Sequence, residues 1–347
     1  MNVADFDFDL PPELIAQTPP VERGTSRLLV FDRCADAITH TTISDLPTWL
    51  CHGDLLVVNN TRVFPARLVG RRKPNGGAVE CLLLQRVDPG RWEALVHPGQ
   101  KLKPGARVVF GTSPLLHGEV LERKFYGRRI IRLWTEDASD VMDAIEQIGH
   151  VPLPPYIRRP DTPSDRQRYQ TVYARVAGSV AAPTAGLHFT DALLELVHRG
   201  GIERAEITLH VGYGTFKPVR SDHVEDHIVD PEAYVIGTDA AARINRALEE
   251  RRRIVALGTT TTRTLESAAG RIGGRVKAEA GIADLFIYPG FEFRATGALL
   301  TNFHLPRSSL LMLVSAFAGR ERVLSAYREA IERRYRFYSY GDAMLIV

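Results

Sequence analysis

Five short apolar runs in this chain are each followed by small polar residues, and three of these tails also contain a histidine. If the runs are strands of an open α/β sheet, the tails lie outside the carboxyl ends of the strands, where such sheets bind ligands. Turns and helix caps also select Gly, Thr and Asn, but five converging tails are hard to explain as turns alone. The candidate binding residues are Asn60, Thr61, Arg62, Thr184, Gly186, Gly212, Gly214, Thr215, Phe216, Gly258, Thr259, Thr260, Asn302 and His304.

Proton transfer is the chemistry that the histidines of these tails could perform. His188, His210 and His304 carry the side chain whose ordinary pKa suits acid and base work near neutral pH. Gly258, followed by four threonines, fits a strand, a tight turn and a helix amino terminus. Such a turn offers backbone N–H groups and hydroxyls to an anion or a ribose, and an ordinary capped turn is the alternative.

Several other site types are not supported by the sequence. Gly212-Tyr213-Gly214 is followed by Lys217-Pro218 where a helix should begin, and there is no G-x-G-x-x-G, so a dinucleotide site is rejected. No clustered His and Cys pattern predicts a metal site, and no G-x-S-x-G predicts a hydrolase. The three cysteines lack the paired spacing of a zinc or redox motif, so we expect buried or incidental thiols.

The elements that must position the tails fall into two kinds. From about Pro65 to about Trp134, short β-rich runs alternate with turn residues, which predicts a small barrel or sandwich. The rest alternates apolar runs with helical segments, which is typical of strands covered by helices on both faces. We therefore predict an α/β fold with a mostly parallel sheet, formed by residues 1–64 and 150–347, and a β-barrel domain inserted at residues 65–149.

Individual helices and strands can also be predicted. Asp191 to Arg199 is expected to be a helix capped by Thr190, and Asp239 to Arg252 a helix capped by Thr238. Two further helices are expected at Ser308 to Ala318 and at Glu321 to Arg336. The buried strands are expected at Leu55 to Val58, Ser179 to Ala182, Ile207 to Leu209, Ile254 to Leu257, Phe286 to Tyr288 and Ala298 to Leu300.

Charge and hydropathy narrow the class of protein. The formal net charge is +3, which by itself does not indicate nucleic acid, but pairs such as Arg158-Arg159 could neutralise phosphates. A solvated surface is the alternative for each basic cluster. No apolar run approaches the roughly 20 residues that cross a bilayer, and the amino terminus does not resemble a signal peptide. We expect a cytoplasmic protein without a membrane partner.

Long ordered motifs run nearly from end to end of the chain. They are Leu10 to Gln17, Ser26 to Val30, Gly53 to Val63, His150 to Ile157, Arg168 to Ala174, Val180 to Phe189, Thr208 to Phe216, Leu300 to Pro306, Leu311 to Gly319 and Tyr338 to Ile346. With these motifs the chain resembles the S-adenosylmethionine:tRNA ribosyltransferase-isomerases of queuosine biosynthesis.

The resemblance implies a reaction and its partners, and the positions of the candidate residues suggest their roles in it. The family transfers and isomerises the ribosyl part of S-adenosylmethionine onto 7-aminomethyl-7-deazaguanine at the tRNA wobble position, which gives epoxyqueuosine and releases adenine and methionine. S-adenosylmethionine is then a consumed substrate, and no cofactor or metal is expected. We predict that His188 and His210 transfer protons or hold the reacting ribose, and that Arg158 and Arg159 bind tRNA. We expect the protein to act as a monomer.

One segment departs from the family pattern. The family has His-x-Met-His-Ser-Glu where this chain has His227-Ile228-Val229-Asp230-Pro231-Glu232, so the second His and the Ser are absent. Two alternative functions follow from the sequence. A tRNA-binding relative without turnover predicts decay of the polar tails, which are intact here. A methyltransferase predicts a glycine-rich loop after the first strand, where Asn59-Asn60-Thr61 stands instead.

Overall fold

The computed structural model describes residues 1–136, 140–216, 219–270 and 273–347, with the backbone alone at positions 126 and 216. Seventeen strands lie in these ranges: β1 Arg27–Asp32, β2 Ala37–Thr42, β3 Leu55–Asn59, β4 Thr61–Val63, β5 Arg67–Lys73, β6 Ala78–Asp88, β7 Arg91–His97, β8 Arg107–Phe110, β9 Leu116–Arg123, β10 Arg128–Thr135, β11 Val176–Ser179, β12 Glu203–Leu209, β13 Glu232–Ile236, β14 Ile254–Leu257, β15 Glu279–Ala283, β16 Ala298–Asn302 and β17 Ala343–Ile346.

Helices connect and cover these strands. Within the described ranges the α-helices are α1 Val141–Ile148, α2 Asp165–Arg168, α3 Asp191–Arg199, α4 Thr238–Glu249, α5 Thr259–Gly270, α6 Ser309–Ala318 and α7 Arg320–Glu332. Short 3₁₀ helices cover Val3–Phe6, Pro12–Leu14, Ile43–Trp49, Gly99–Lys101, Phe125–Gly127, Thr184–His188, Tyr213–Phe216 and Val224–Asp226. No helix in the part of the chain that the structure describes has both the length and the apolar character needed to span a bilayer.

The main sheet has the strand order β15-β13-β12-β3-β14-β16-β17-β1-β2 among the described residues. The central strands β12, β3, β14 and β16 run parallel, as do β17 and β1, whereas the remaining neighbours pair antiparallel. The predicted α/β class with an inserted barrel is confirmed, and the sheet is mixed, with parallel pairing concentrated at its centre.

Strand β3 shows why the central strands are apolar throughout. Leu55 and Val57 contact the core on the face covered by α4 to α7, whereas Leu56 and Val58 contact the opposite core beneath α3. Because both faces are buried, the strand has no alternation of polar and apolar residues. All five residues of β3 are buried.

The barrel is a closed antiparallel ring in the order β10-β7-β6-β5-β8-β9. Its strands lie between Arg67 and Thr135, and Ala144 and Ile145 of α1 pack into its core. Cys81 is fully buried there, and burial raises the pKa of its thiol to about 12, so this thiol is unreactive. A short parallel ribbon of β4 and β11 stands beside the barrel junction.

The predicted helices at Asp191 and Ser308 are confirmed, the first with its predicted cap Thr190. Thr190 accepts a hydrogen bond from the backbone N–H of Leu193 at 3.1 Å, and Ser308 caps α6 in the same manner. Three predictions were wrong. Only Ser179 of the strand expected at Ser179 to Ala182 lies in a strand, because β11 ends at Ser179 and the N–H groups of Val180 and Ala181 both donate to the Val211 carbonyl. Gly237, rather than Thr238, is the cap of α4. The segment Phe286 to Tyr288 is not a strand, because its apolar residues pack against the core without pairing to a neighbour.

Candidate active site

A cavity of about 360 Å³ opens at the edge of the sheet where β14 and β16 end, a size typical of small-molecule sites. The segments that line it come from distant parts of the chain. Seven residues predicted from the sequence are among the lining: Thr184, Thr215, Gly258, Thr259, Thr260, Asn302 and His304.

Parallel pairing explains why the tails after β12, β14 and β16 meet, whereas the tail that carries Thr184 follows β11 of the two-stranded ribbon. Strands β12, β3, β14 and β16 point in one direction, so their carboxyl ends share one edge of the sheet. Four of the five tails reach the cavity. The fifth tail, which follows β3, does not line it.

The turn between β14 and α5 brings a helix amino terminus to the cavity wall. Gly258 adopts φ +91°, a left-handed conformation that L side chains rarely adopt. Thr261 and Thr262 donate their hydroxyls to the carbonyls of Leu257 and Gly258, four residues earlier. Thr259 and Thr260 line the cavity instead, where the first N–H groups of the helix favour an electron-rich ligand.

Asn302 joins the cavity wall to His188. The Asn302 amide nitrogen donates to the Tyr338 carbonyl at 3.0 Å and lies 3.1 Å from His188 Nε2. His188 Nδ1 lies 2.9 Å from Ser26 Oγ, so both ring nitrogens are hydrogen-bonded. Burial lowers the pKa of His188 to about 4, which keeps the ring neutral. His188 does not line the cavity.

His304 is the one histidine among the described residues that lines the cavity. Its Nε2 lies 2.9 Å from Thr301 Oγ1, and its backbone N–H donates to the Tyr327 hydroxyl at 3.0 Å. Burial lowers the pKa of His304 to about 3. The imidazole is therefore a neutral hydrogen-bonding group at physiological pH.

His210 stands next to the cavity, beside the ribbon of β4 and β11. Its Nδ1 lies 2.9 Å from Thr61 Oγ1, and its ring packs over Gly178, where a Cβ would come within 2.7 Å of it. The ring is half-buried, and desolvation lowers the pKa of His210. His210 immediately precedes Val211, which lines the cavity.

The remaining predicted residues of the β3 tail serve the packing of the ribbon. Asn60 Oδ1 accepts from the Thr208 hydroxyl at 2.7 Å, which ties the tail to β12. Arg62 pairs with Glu146 of α1 at 2.9 Å, a contact with the helix that closes the barrel. The structure therefore separates Asn60, Thr61 and Arg62 from the cavity wall.

The predicted glycines of the other tails allow close packing. A Cβ at Gly186 would meet the Tyr173 hydroxyl at 2.1 Å, and one at Gly214 would meet the Asp230 carboxylate at 2.7 Å. The Gly212 N–H donates to Glu232 Oε1 at 2.8 Å. The side chain of Phe216 lies outside the described residues.

A smaller cavity of about 40 Å³ adjoins the first and shares Thr215 and Leu310 with it. On its wall, Arg263 Nη1 pairs with Glu232 Oε2 at 2.7 Å, and both side chains are buried. Burial raises the pKa of Glu232, and the charge of Arg263 opposes that rise. Because Glu232 also accepts from Gly212, the ion pair fixes the start of the segment that carries Thr215.

The two predicted tRNA-binding arginines have different environments. Both line a groove of about 490 Å³ between the barrel and the proline-rich loop at residues 152–160. Arg158 is exposed, whereas Arg159 binds Asp165 through two hydrogen bonds of 2.7 and 2.8 Å. Burial disfavours the Asp165 carboxylate, yet the hydrogen bonds from Arg159 and Thr162 lower its pKa well below the ordinary value. Arg159 is therefore tied into the fold, and Arg158 faces outward.

Comparisons with known proteins match the whole chain. The family model described as "Queuosine biosynthesis protein" matches residues 3–346. This chain belongs to that family. Proteins named S-adenosylmethionine:tRNA ribosyltransferase-isomerase from Symbiobacterium thermophilum and Desulfitobacterium hafniense are 52% and 50% identical to it over all of both chains.

A solved structure agrees with this membership of the queuosine biosynthesis family. The crystal structure of S-adenosylmethionine tRNA ribosyltransferase from Thermotoga maritima is 39% identical, with a TM-score of 0.56. The match covers 99% of this chain and 100% of that one. The family expected from the motifs is confirmed.

Sequence reasoning missed several lining residues of this family member, above all Tyr156, Ser308, Tyr338 and Ser339. Tyr338 precedes β17, which runs antiparallel to β16, so the start of β17 lies at the same edge as the end of β16. A search limited to segments that follow strands cannot find it. The motifs that contain Tyr156 and Tyr338 were the available signal.

The segment that departs from the family pattern has a defined place. His227 and Glu232, which match the pattern, line the smaller cavity together with Asp230. Asp230 pairs with Arg128 of the barrel strand β10 at 3.1 Å. Asp230, which stands where the family has its second His, therefore links this loop to the barrel.

Proposed function

We propose that this chain transfers and isomerises the ribosyl moiety of S-adenosylmethionine onto 7-aminomethyl-7-deazaguanine at the wobble position of a tRNA. The products are tRNA carrying epoxyqueuosine, adenine and methionine. The observation that carries the proposal is the full-length family match together with four strand-end tails that meet in one cavity.

The cavity suits a reaction that depends on positioning. The sulfonium of S-adenosylmethionine acidifies its neighbouring C–H bonds, so the protein has to hold the ribose, remove a proton and assist the departure of adenine. The hydroxyls of Thr184, Thr215, Thr259 and Thr260 offer donors and acceptors to the ribosyl group. His210, neutral and half-buried beside the cavity, is the proposed proton acceptor.

The groove between the barrel and the proline-rich loop suits the tRNA. It meets the cavity at Pro155, which lines both. A tRNA backbone in the groove would place a base displaced from its neighbours toward the cavity, and the exposed Arg158 would neutralise phosphate. We propose that a single chain acts in the cytoplasm.

Nucleoside analysis tests the function directly. The protein is incubated with S-adenosylmethionine and a tRNA that carries 7-aminomethyl-7-deazaguanine, and the digested nucleosides are analysed by mass spectrometry. We expect epoxyqueuosine with equimolar adenine and methionine. The same tRNA with guanine at the wobble position is the matched control and should give no product.

Two results would contradict the proposal in different ways. A methylated nucleoside with release of S-adenosylhomocysteine would indicate a methyltransferase. Binding of both substrates without any product under single-turnover conditions would indicate a tRNA-binding relative without activity.

A further inference from the structure

Two polar atoms on the cavity wall are buried without a hydrogen-bond partner among the described residues. They are the side-chain oxygen of Asn302 and the hydroxyl of Tyr338, in residues that are 2% and 7% exposed. Buried polar atoms in folded proteins are nearly always paired, because leaving one unpaired is unfavourable. Both residues line the same cavity, so a ligand can supply the missing partners.

The orientation of the Asn302 amide follows from its neighbours. A backbone carbonyl can only accept, so the Asn302 atom that lies 3.0 Å from the Tyr338 carbonyl must be the nitrogen. The same nitrogen donates to His188 Nε2 at 3.1 Å, which requires the His188 proton to be on Nδ1, toward Ser26. The Asn302 oxygen is thus a hydrogen-bond acceptor whose orientation is fixed by two partners.

The Tyr338 side chain is fixed by an unusual backbone. Its φ of +74° is rare for a bulky residue, and such conformations concentrate at ligand-binding sites. The Tyr338 N–H donates to the Phe303 carbonyl at 3.0 Å, and its carbonyl accepts from Gly341 at 2.9 Å. Its ring lies 4.1 Å from that of Tyr156, so the two rings form an aromatic part of the wall.

We propose that the Asn302 oxygen and the Tyr338 hydroxyl bind the edge of a purine-like base in this cavity, and that His188 is a positioning residue for Asn302. The Asn302 oxygen can accept from an N–H on the edge of the base, and the Tyr338 hydroxyl can donate to an acceptor beside it. The aromatic wall suits the flat ring of such a base. This inference rests on the proposed function, which supplies two such bases: the adenine of S-adenosylmethionine and the deazaguanine of the tRNA. The positioning role of His188 replaces the direct proton transfer that the sequence predicted for this residue.

Tyr338→Phe is the sharpest variant, because it removes only an atom that has no partner inside the described protein. We expect the ligand-free variant to unfold at the same temperature as the wild type or a higher one, while base binding weakens about three- to tenfold. Tyr335→Phe is the matched control, since the Tyr335 hydroxyl bonds to His40 and does not line the cavity. A purely structural hydroxyl would instead lower the unfolding temperature and leave binding unchanged.

His188 variants test the positioning role. His188→Gln retains an acceptor for the Asn302 amide, whereas His188→Leu removes it. If His188 positions Asn302, His188→Leu raises KM at least tenfold with a smaller change in kcat, His188→Gln restores most of the loss, and the pH profile of kcat keeps its shape. Loss of a limb of that profile in both variants would assign proton transfer to His188 and overturn the positioning role.

Two binding measurements identify the base. Calorimetry gives the affinity for S-adenosylmethionine, and gel-shift titration compares tRNA carrying the deazaguanine with tRNA carrying guanine. A selective loss of S-adenosylmethionine affinity in Tyr338→Phe and Asn302→Leu assigns the adenine, and a selective loss for modified tRNA assigns the deazaguanine. Unchanged affinity for both ligands in folded variants overturns the inference and leaves the proposed function standing. If the wild type binds neither ligand, the proposed function fails and the inference fails with it.

Discussion

At the scale of single residues, the candidate site relies on neutral, buried imidazoles. The ring of His188 bonds to Ser26, and the ring of His304 bonds to Thr301. Burial lowers the pKa of His188 to about 4 and that of His304 to about 3. A neutral ring can accept one hydrogen bond and donate another, which is what His188 does between Asn302 and Ser26. Protonation would remove the acceptor and break this arrangement.

Acid should therefore destabilise the folded protein through His188. Its folded pKa of about 4 lies below the ordinary 6.5, so between these values the unfolded chain binds more protons and stability falls as pH falls. The expected slope is about 1.4 kcal/mol per pH unit from this residue. Asp342, Arg336 and Arg23 act on the same ring electrostatically. Urea unfolding of His188→Gln between pH 6 and pH 4.5 should show a slope reduced by that amount, whereas the exposed His198→Gln should match the wild type. Equal slopes for all three proteins would refute this account.

His210 should act in the chemical step. Its lowered pKa keeps the ring able to accept a proton at neutral pH, so His210→Ala should reduce the single-turnover rate by about 10²–10⁴ with little change in S-adenosylmethionine affinity. Thr61→Val removes the partner of Nδ1 and should cause a smaller loss. A folded His210→Ala protein that reacts at the wild-type rate would move the search for the base to His304 and Glu232.

At the scale of elements, the turn between β14 and α5 connects backbone conformation to the cavity. Gly258→Ala meets no severe contact, since its nearest neighbour is the Ala185 Cβ at 3.6 Å, but it must adopt φ +91°. We expect a loss of about 1–2 kcal/mol in the free energy of unfolding. Gly270→Ala in the same helix has open space and an ordinary φ, so it should be neutral or stabilising by up to about 1 kcal/mol. Chemical denaturation of the two variants measures the difference, and equal stability would show that the turn relaxes freely.

At the scale of the whole molecule, the barrel and the α/β domain form one groove in which Arg158 and Arg159 play different parts. Arg158→Ala should weaken tRNA binding and reduce the slope of log affinity against log salt by about one. Arg199→Ala, at the opposite edge of the sheet, is the control and should leave the slope unchanged. Arg159→Ala should lower the free energy of unfolding by about 3 kcal/mol, because the buried Asp165 carboxylate loses its cationic partner and keeps only the donors of Thr162 and Tyr340. An unchanged salt slope for Arg158→Ala would remove that residue from the tRNA interface.

Catalysis by the whole protein is expected to need no bound metal, since the sequence contains no ligand cluster. Dialysis against a strong chelator, followed by assay with tRNA refolded separately in magnesium, should leave the rate unchanged. Recovery of a lost rate on adding zinc to the protein alone would contradict this expectation.

The sequence by itself determined the family, the α/β class and the inserted barrel, because apolar runs, turn residues and long motifs are local features. It also selected seven residues of the cavity wall, and for all of them except Thr184 the reason is that residues after parallel strands share an edge. The cap Thr190 was predictable for the same local reason, whereas Thr238 was wrongly predicted as the cap of α4.

Only the tertiary structure decided which of the candidates face the cavity. The antiparallel pairing of β17 with β16 brings Tyr338 to the cavity, and no local pattern encodes the direction of a strand relative to a neighbour 40 residues away. His188 bonds to Asn302 and Asn60 bonds to Thr208, both far away in the chain, and Arg159 bonds to Asp165 at the start of the following helix. Their supporting roles therefore follow from packing and not from local sequence. Residue type restricts the chemistry that a side chain can perform, and the packed sheet determines which atoms remain free to perform it.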